Sequence, residues 1–243
     1  MTEQPDLFAT SLADAGLPAT AAWAASGRLA ALRERMGALG PRALSEAETL
    51  GLILDRCLPE GADPACAAEA LLARFGCIGR VIGAELADLR QVIGASAAGE
   101  LALLHALLVR ALEHPLRRRP VLSSWRAVKV YLQASLAASP REAFHVLFLD
   151  RANQLIADER MGAGTVDHAP VYPREVVRRA LELSASALCL VHNHPSGAAN
   201  PSSADIEITK RIVEAARALN LAVHDHFLVA GDQVVSFKTL GLI

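Results

Sequence analysis

The chain has 243 residues, 52% of them hydrophobic and 21% charged, and 24 Lys and Arg stand against 26 Asp and Glu for a formal net charge of −2. This balance excludes a disordered polar chain and removes any global electrostatic argument for nucleic-acid binding, which a local basic patch would have to carry. The length suits one large domain or two modest ones, each able to bury a core.

Residues 1–30 are less regular than the rest of the N-terminal half and read as an N-terminal extension. The opening MTEQPDLFATSLADAG carries acids early and no basic stretch ahead of an apolar core, so no secretory signal is read. Over residues 31–115 the segments ALRERMGAL, SEAETLGLILDRC, DPACAAEALLARFG and AAGELALLHALLVRALEH place apolar residues three and four apart, the grammar of a helical domain. Ser45 followed by Glu48 is a capping box that starts one of these helices. The segment HPLRRRP, residues 114–120, interrupts the pattern and marks the domain boundary. Its Arg117, Arg118 and Arg119, with Arg110, Arg126 and Lys129 nearby, are either a solvated linker or a phosphate-contacting patch. No window approaches the roughly 18 unbroken apolar residues of a membrane span. Cys57, Cys66, Cys77 and Cys189 form no CxxC pair, so a reducing cytoplasm is the expected setting.

From residue 121 to 243 the grammar changes to alternating strands and helices, an α/β domain of about 120 residues. SSWRAVKVYLQASL is a helix, and EAFHVLFLD and QLIADERMG are strands joined by the turn RAN. PREVVRRALEL is a helix with proline in its first turn, and SALCLVHNH is a buried strand in which Cys189 is a small hydrophobe. SADIEITKRIVEAARALN is an amphipathic helix ending at Asn220. LAVHDHFLVAG and QVVSFKTLG form a terminal hairpin about Gly231-Asp232.

The chemistry concentrates in HNHPSGAANPSSAD, residues 192–205. Residues i and i+2 of a strand share a face, so His192 and His194 can aim into one cavity while Asn193 points away. Asp205 offers a third ligand, and catalytic zinc sites typically take three protein ligands and leave a position open. Two neutral imidazoles and one carboxylate leave a zinc site at +1, which favours ionisation of water there. The same residues have a second account: Ser202-x-x-Asp205 is itself a capping box, and HxH pairs arise by chance. His224-x-His226 is such a pair and reads as ordinary strand. A hydrolase also needs a base, and Glu142 stands at the mouth of an apolar strand, where acids are commonly just solvated. His168 and Arg174 flank the turn before PREVVRRALEL and read as cleft-lining or as ordinary surface.

Together, Glu142, His192-x-His194 and Ser202-x-x-Asp205 resemble the JAMM (MPN-plus) metalloprotease motif, including the ten residues between His194 and Asp205. The fuller strings HNHPSG, LFLD, LIADE and VYPREVVRRALEL resemble the bacterial RadC family over residues 121–243. The resemblance implies a cytidine-deaminase-like JAMM/MPN fold, a mixed sheet flanked by helices behind a small helix-hairpin-helix-like domain. It implies one zinc per chain on His192, His194 and Asp205, Glu142 as general base, and Ser202 as a hydrogen-bond donor to the oxyanion. The implied activity is hydrolysis of a peptide or isopeptide substrate. DNA binding through the helical half, in repair or recombination, is the second implied role, and a metal site that only orders the loop is the third. Where a helix-hairpin-helix reads G-x-G, this chain has Gly94-Ala95-Ser96, and alanine or serine is a poor substitute wherever a positive φ is needed. The region DRCLPEGADP also departs from the turn usual in such domains.

Overall fold

The computed structural model describes residues 19–123, 125–163 and 171–243. Internal contacts divide the chain into one unit ending at Leu104 and a second beginning at His105.

The first unit is helical: α1 (Ala19–Leu39), α2 (Glu46–Leu54), α3 (Pro64–Phe75), α4 (Ile78–Ile82) and the first part of α5 (Leu86–Glu113). Helix α1 runs across residue 30, so the less regular extension read from the sequence ends inside a helix. Ser45 caps α2 in the expected box, its side chain accepting from Glu48 N while Glu48 accepts from Ser45 N. Asp63 caps α3 ahead of Pro64, and the left-handed Gly76 ends it. Leu50, Leu54, Leu71, Val81, Leu89 and Leu101 are fully buried and form the centre of this unit's core.

Helix α5 has the length and composition of a membrane-spanning segment, yet Leu89, Ile93, Ala97, Ala98 and Leu101 bury into the helical core. It is broken at Gly94, where φ is 76° and ψ is 174°. Ala95 and Ser96 lie on the helical side of that break and are not among the non-glycine residues with positive φ. The turn therefore needs only one glycine, and the missing second one carries no strain.

The second unit begins upstream of HPLRRRP. His105 Nε2 lies 2.7 Å from the carbonyl oxygen of Ala134, and Leu116 is fully buried. Arg117 pairs with Glu113 and donates to the Ile156 carbonyl at 2.6 Å, while Arg118 and Arg119 are exposed. The remaining elements are α6 (Trp125–Leu136), β1 (Ala143–Leu149), β2 (Leu155–Ala163), α7 (Pro173–Glu182), β3 (Ala187–Asn193), α8 (Ser203–Arg217), β4 (Ala222–Ala230) and β5 (Gln233–Ser236). The strands form one sheet in the order β2-β1-β3-β4-β5; β3 and β4 are parallel and the other neighbours antiparallel.

Strand alternation sorts the core into two layers. Leu147, Leu149, Cys189 and Val191 face Val128 and Leu132 of α6. Phe144, Val146, Leu188 and Leu190 face Val176 of α7 and Ile212 of α8. The last strand is shorter than the sequence reading. After Ser236 the chain turns so that Ser236 Oγ and Lys238 N both donate to the buried Asp225 carboxylate.

Candidate metal centre

The centre forms where β3 runs out of the sheet on the face covered by α7 and α8. His192 lies within β3 and is 5% exposed. His194 lies one residue past the strand, and its backbone N–H still donates to Val229 O of β4 at 2.8 Å. The chain then turns tightly, Gly197 N donating to His194 O at 3.0 Å, with Gly197 at a φ of 78° that favours glycine. This reversal carries the chain to α8, whose N-cap is Ser202 and whose third residue is Asp205.

The three expected ligands converge. His192 Nε2 is 3.2 Å from His194 Nε2 and 3.4 Å from Asp205 Oδ1, and His194 Nε2 is 3.5 Å from Asp205 Oδ2. They are the His/Cys/Asp/Glu group among the described residues with ligand atoms close enough to share an ion. A tetrahedral zinc with bonds of about 2.0–2.1 Å places its ligand atoms about 3.3–3.4 Å apart, a spacing close to that of the two imidazole nitrogens, and each ring has its own Asp205 oxygen at a similar distance. The donor chemistry fits too. His194 Nδ1 is 2.8 Å from the Ala198 carbonyl, which can only accept, so the neutral ring carries its hydrogen there and turns a bare Nε2 to the other ligands. Burial alone would raise the Asp205 pKa; without an ion, a protonated His192 beside it, with the hydrogen bonds from Ser202, outweighs burial and holds the carboxyl well below the usual carboxylate range, and a bound metal would take the place of that proton. An ionised carboxylate is the form that could ligate a cation.

The capping box is formed, and it leaves Asp205 grouped with the two histidines. Asp205 N donates to Ser202 Oγ at 3.2 Å, and Ser202 N and Oγ donate to Asp205 Oδ2 at 2.7 and 2.6 Å. The capping box fixes the carboxylate so that Oδ1 faces His192.

Glu142 immediately precedes β1 and is half-buried. Phe144 pairs with His192 at the end of the antiparallel β1–β3 ladder, and Glu142 and His194 each lie one residue beyond their strands at that same end. The Asn193 side chain is turned away from the ligands, as expected, but it has work of its own. Its Oδ1 accepts from Ala143 N at 2.8 Å and its Nδ2 donates to Arg141 O at 3.1 Å. The two peptide units flanking Glu142 are thus held by one amide.

The second HxH pair divides. His224 Nε2 lies 2.7 Å from Asn153 Oδ1, away from the centre. His226 is fully buried, and its Nε2 lies 2.8 Å from His192 Nδ1. Reading both as ordinary strand missed this. The reason is a bulge: Leu188 pairs with Val223 but Cys189 pairs with Asp225, so His224 is an extra residue. Strict alternation from Val223 would have sent Asp225 to the ligand face; the bulge sends His226 there instead. Burial, then the facing His192, keeps the His226 pKa well below that of a free imidazole. Phe237 packs on the His226 ring at 4.3 Å between centroids, and Phe144 meets it edge-on at 5.3 Å. Arg174 is exposed, its guanidinium over the Tyr172 ring, as the surface account of that turn requires. His168 lies outside the described residues.

Residues 122–242 match the RadC-like JAB domain family. A "UPF0758 protein" of Rhodobacter capsulatus is 49% identical over 214 residues, covering 87% of this chain and 100% of the relative. The family match covers the α/β sheet that carries the converging ligands, and the relative extends the likeness into the helical half: the chain belongs to the RadC family.

Proposed function

We propose that the protein is a cytoplasmic zinc-dependent hydrolase of the JAMM type, acting on a peptide or isopeptide bond. The observation that carries this reading is the convergence of two imidazole nitrogens and one carboxylate, His192 Nε2 lying 3.2 Å from His194 Nε2 and the two Asp205 oxygens 3.4 and 3.5 Å from one ring each. A divalent ion held there supplies a Lewis acid that polarises a carbonyl and eases the ionisation of water.

The chain's own residues do the rest. Glu142, one residue ahead of β1, takes the proton of the attacking water and returns it to the leaving amine. Ser202 Oγ holds Asp205 in the resting site; turning its one hydrogen from Oδ2 to the substrate lets it donate to the developing oxyanion. The buried Phe144 and Phe237 pack against His226, which backs His192. A glutamate at the His192 end of β1 favours catalysis over a purely structural site, which needs no base.

The test is elemental analysis of the native protein beside the His192→Ala/His194→Ala variant. About one zinc per chain, absent from the double variant, is expected. Glu142→Ala is expected to keep its zinc and to lose turnover on peptide and isopeptide libraries. No metal even after zinc addition would sink the hydrolase reading.

A second reading, DNA association through the helical half, is favoured by one observation: the positive-φ turn at Gly94 stands where a helix-hairpin-helix has its glycine. Its signature is binding of duplex or branched DNA that weakens steeply with salt, and a chain showing none at moderate ionic strength contradicts it.

A further inference from the structure

His226 and Thr209 are both fully buried, and both are polar. Apolar side chains would fill the same space without hydrogen-bonding demands, so their partners are informative. His192 Nδ1 lies 2.8 Å from His226 Nε2, and His226 Nδ1 lies 2.6 Å from Thr209 Oγ1. Thr209 Oγ1 in turn bonds the backbone carbonyl of Asp205, one helical turn earlier.

Only one arrangement of hydrogens satisfies that chain of neutral groups. A carbonyl oxygen cannot donate, so the single hydroxyl hydrogen of Thr209 goes to Asp205 O. Thr209 Oγ1 must then accept from His226 Nδ1–H. A neutral imidazole with its hydrogen on Nδ1 has a bare Nε2, which accepts from His192 Nδ1–H. His192 Nε2 is thereby left bare, facing His194 Nε2 at 3.2 Å and Asp205 Oδ1 at 3.4 Å. The Ala198 carbonyl sets the same tautomer on His194. The chain starts at one ligand and ends on the backbone of another, so it also fixes the distance between β3 and the first turn of α8.

We propose that Thr209 and His226 are positioning residues, a buried hydrogen-bond relay that holds His192 in its metal-binding tautomer and ties its ring to the helix bearing Asp205. The inference rests on the zinc reading above and concerns what sets the affinity of that site. Ligating histidines usually donate to a carboxylate, a carbonyl or water. Here the acceptor is a neutral imidazole, which orients the ring without adding negative charge, and the +1 of a zinc on two imidazoles and one carboxylate is preserved.

Zinc affinity of the full-length chain, measured by competition with a chromophoric chelator, tests the relay in four variants. Thr209→Val keeps the shape and removes the hydroxyl; Thr209→Ser restores it. His226→Leu removes the acceptor; His226→Gln supplies an amide that accepts from His192 and donates to Thr209. Thr209→Val and His226→Leu are expected to bind zinc about 10–100-fold more weakly, while the Ser and Gln variants stay within about threefold of native. Thermal melts run on the same samples identify any variant that fails to fold, and Thr209→Val, nearly isosteric, is the one expected to keep its native melt. Equal affinities for Thr209→Val and Thr209→Ser, both folded, would overturn the relay while leaving the zinc site intact. A native chain that binds no zinc overturns the site and the relay together.

Discussion

Asn193 shows how much one side chain can decide. Its amide is 2% exposed and is the hydrogen-bond partner of Ala143 N, so Asn193→Ala strands a buried donor beside Glu142. Leaving such a group unpaired costs about 1–3 kcal/mol. The variant is expected to melt at lower temperature, keep its zinc and lose most of its turnover, because the glutamate is no longer held; native-like turnover would show that Glu142 needs no such clamp. The cysteines give a second residue-scale expectation. Cys66 and Cys77 are exposed, whereas Cys189 is buried among Leu147 and Val191, and burial pushes its thiol up to about 12. A thiol reagent at neutral pH should label Cys66 and Cys77 in the native protein and reach Cys189 only after unfolding. Labelling of native Cys189 would refute its placement.

At the scale of elements, the chain uses the same capping box twice, to different ends. Ser45→Ala removes a cap from α2 and is expected to cost about 1 kcal/mol, read from denaturant unfolding, with zinc content unchanged. Ser202→Ala should cost a similar amount and also weaken zinc binding, because the same hydroxyl orients Asp205. Helix α7 is fastened to β2 by Arg179, whose Nε and Nη2 donate to the two oxygens of Glu159 at 2.7 and 2.6 Å. Those hydrogen bonds hold the Glu159 carboxyl below its usual range. The unfolded chain therefore takes up this proton first as pH falls, so the contribution is full above the unfolded value of about 4.3 and fades below it. Acid unfolding of Glu159→Gln should begin from a lower stability at neutral pH and show a shallower loss below about pH 5; identical acid profiles would mean the fork adds nothing.

Over the whole molecule, the helical unit and the α/β unit each carry a core of their own. Leu71 lies at the centre of the first and Leu190 beneath the ligand face of the second, both fully buried. Truncating either to alanine is expected to cost about 2–5 kcal/mol. Leu71→Ala should leave about one zinc per chain, while Leu190→Ala should lower zinc affinity as well as stability. Loss of zinc in the Leu71 variant would show that the helical core supports the metal centre.

Whatever acts over a few residues can be read from the chain alone. Two caps, the period-2 strands, the helix stripes and the HxH…SxxD spacing are legible because a capping box or a strand alternation is complete within four or five positions. Even there, Gly94-Ala95-Ser96 looks more damaged than it is, since only the backbone shows which of the three residues takes the positive φ. Which residues meet is a tertiary matter. Glu142 is brought to the His192 end of the sheet by the β1–β3 pairing, and Asn193 clamps the backbone on either side of it, bonding Ala143 N across a separation of fifty residues. The bulge at His224 exists only in the pairing of β4 with β3, and that one unpaired residue is what turns His226 rather than Asp225 toward His192. A strand's sequence fixes its alternation, but the phase of that alternation at a bulge is set by the neighbouring strand.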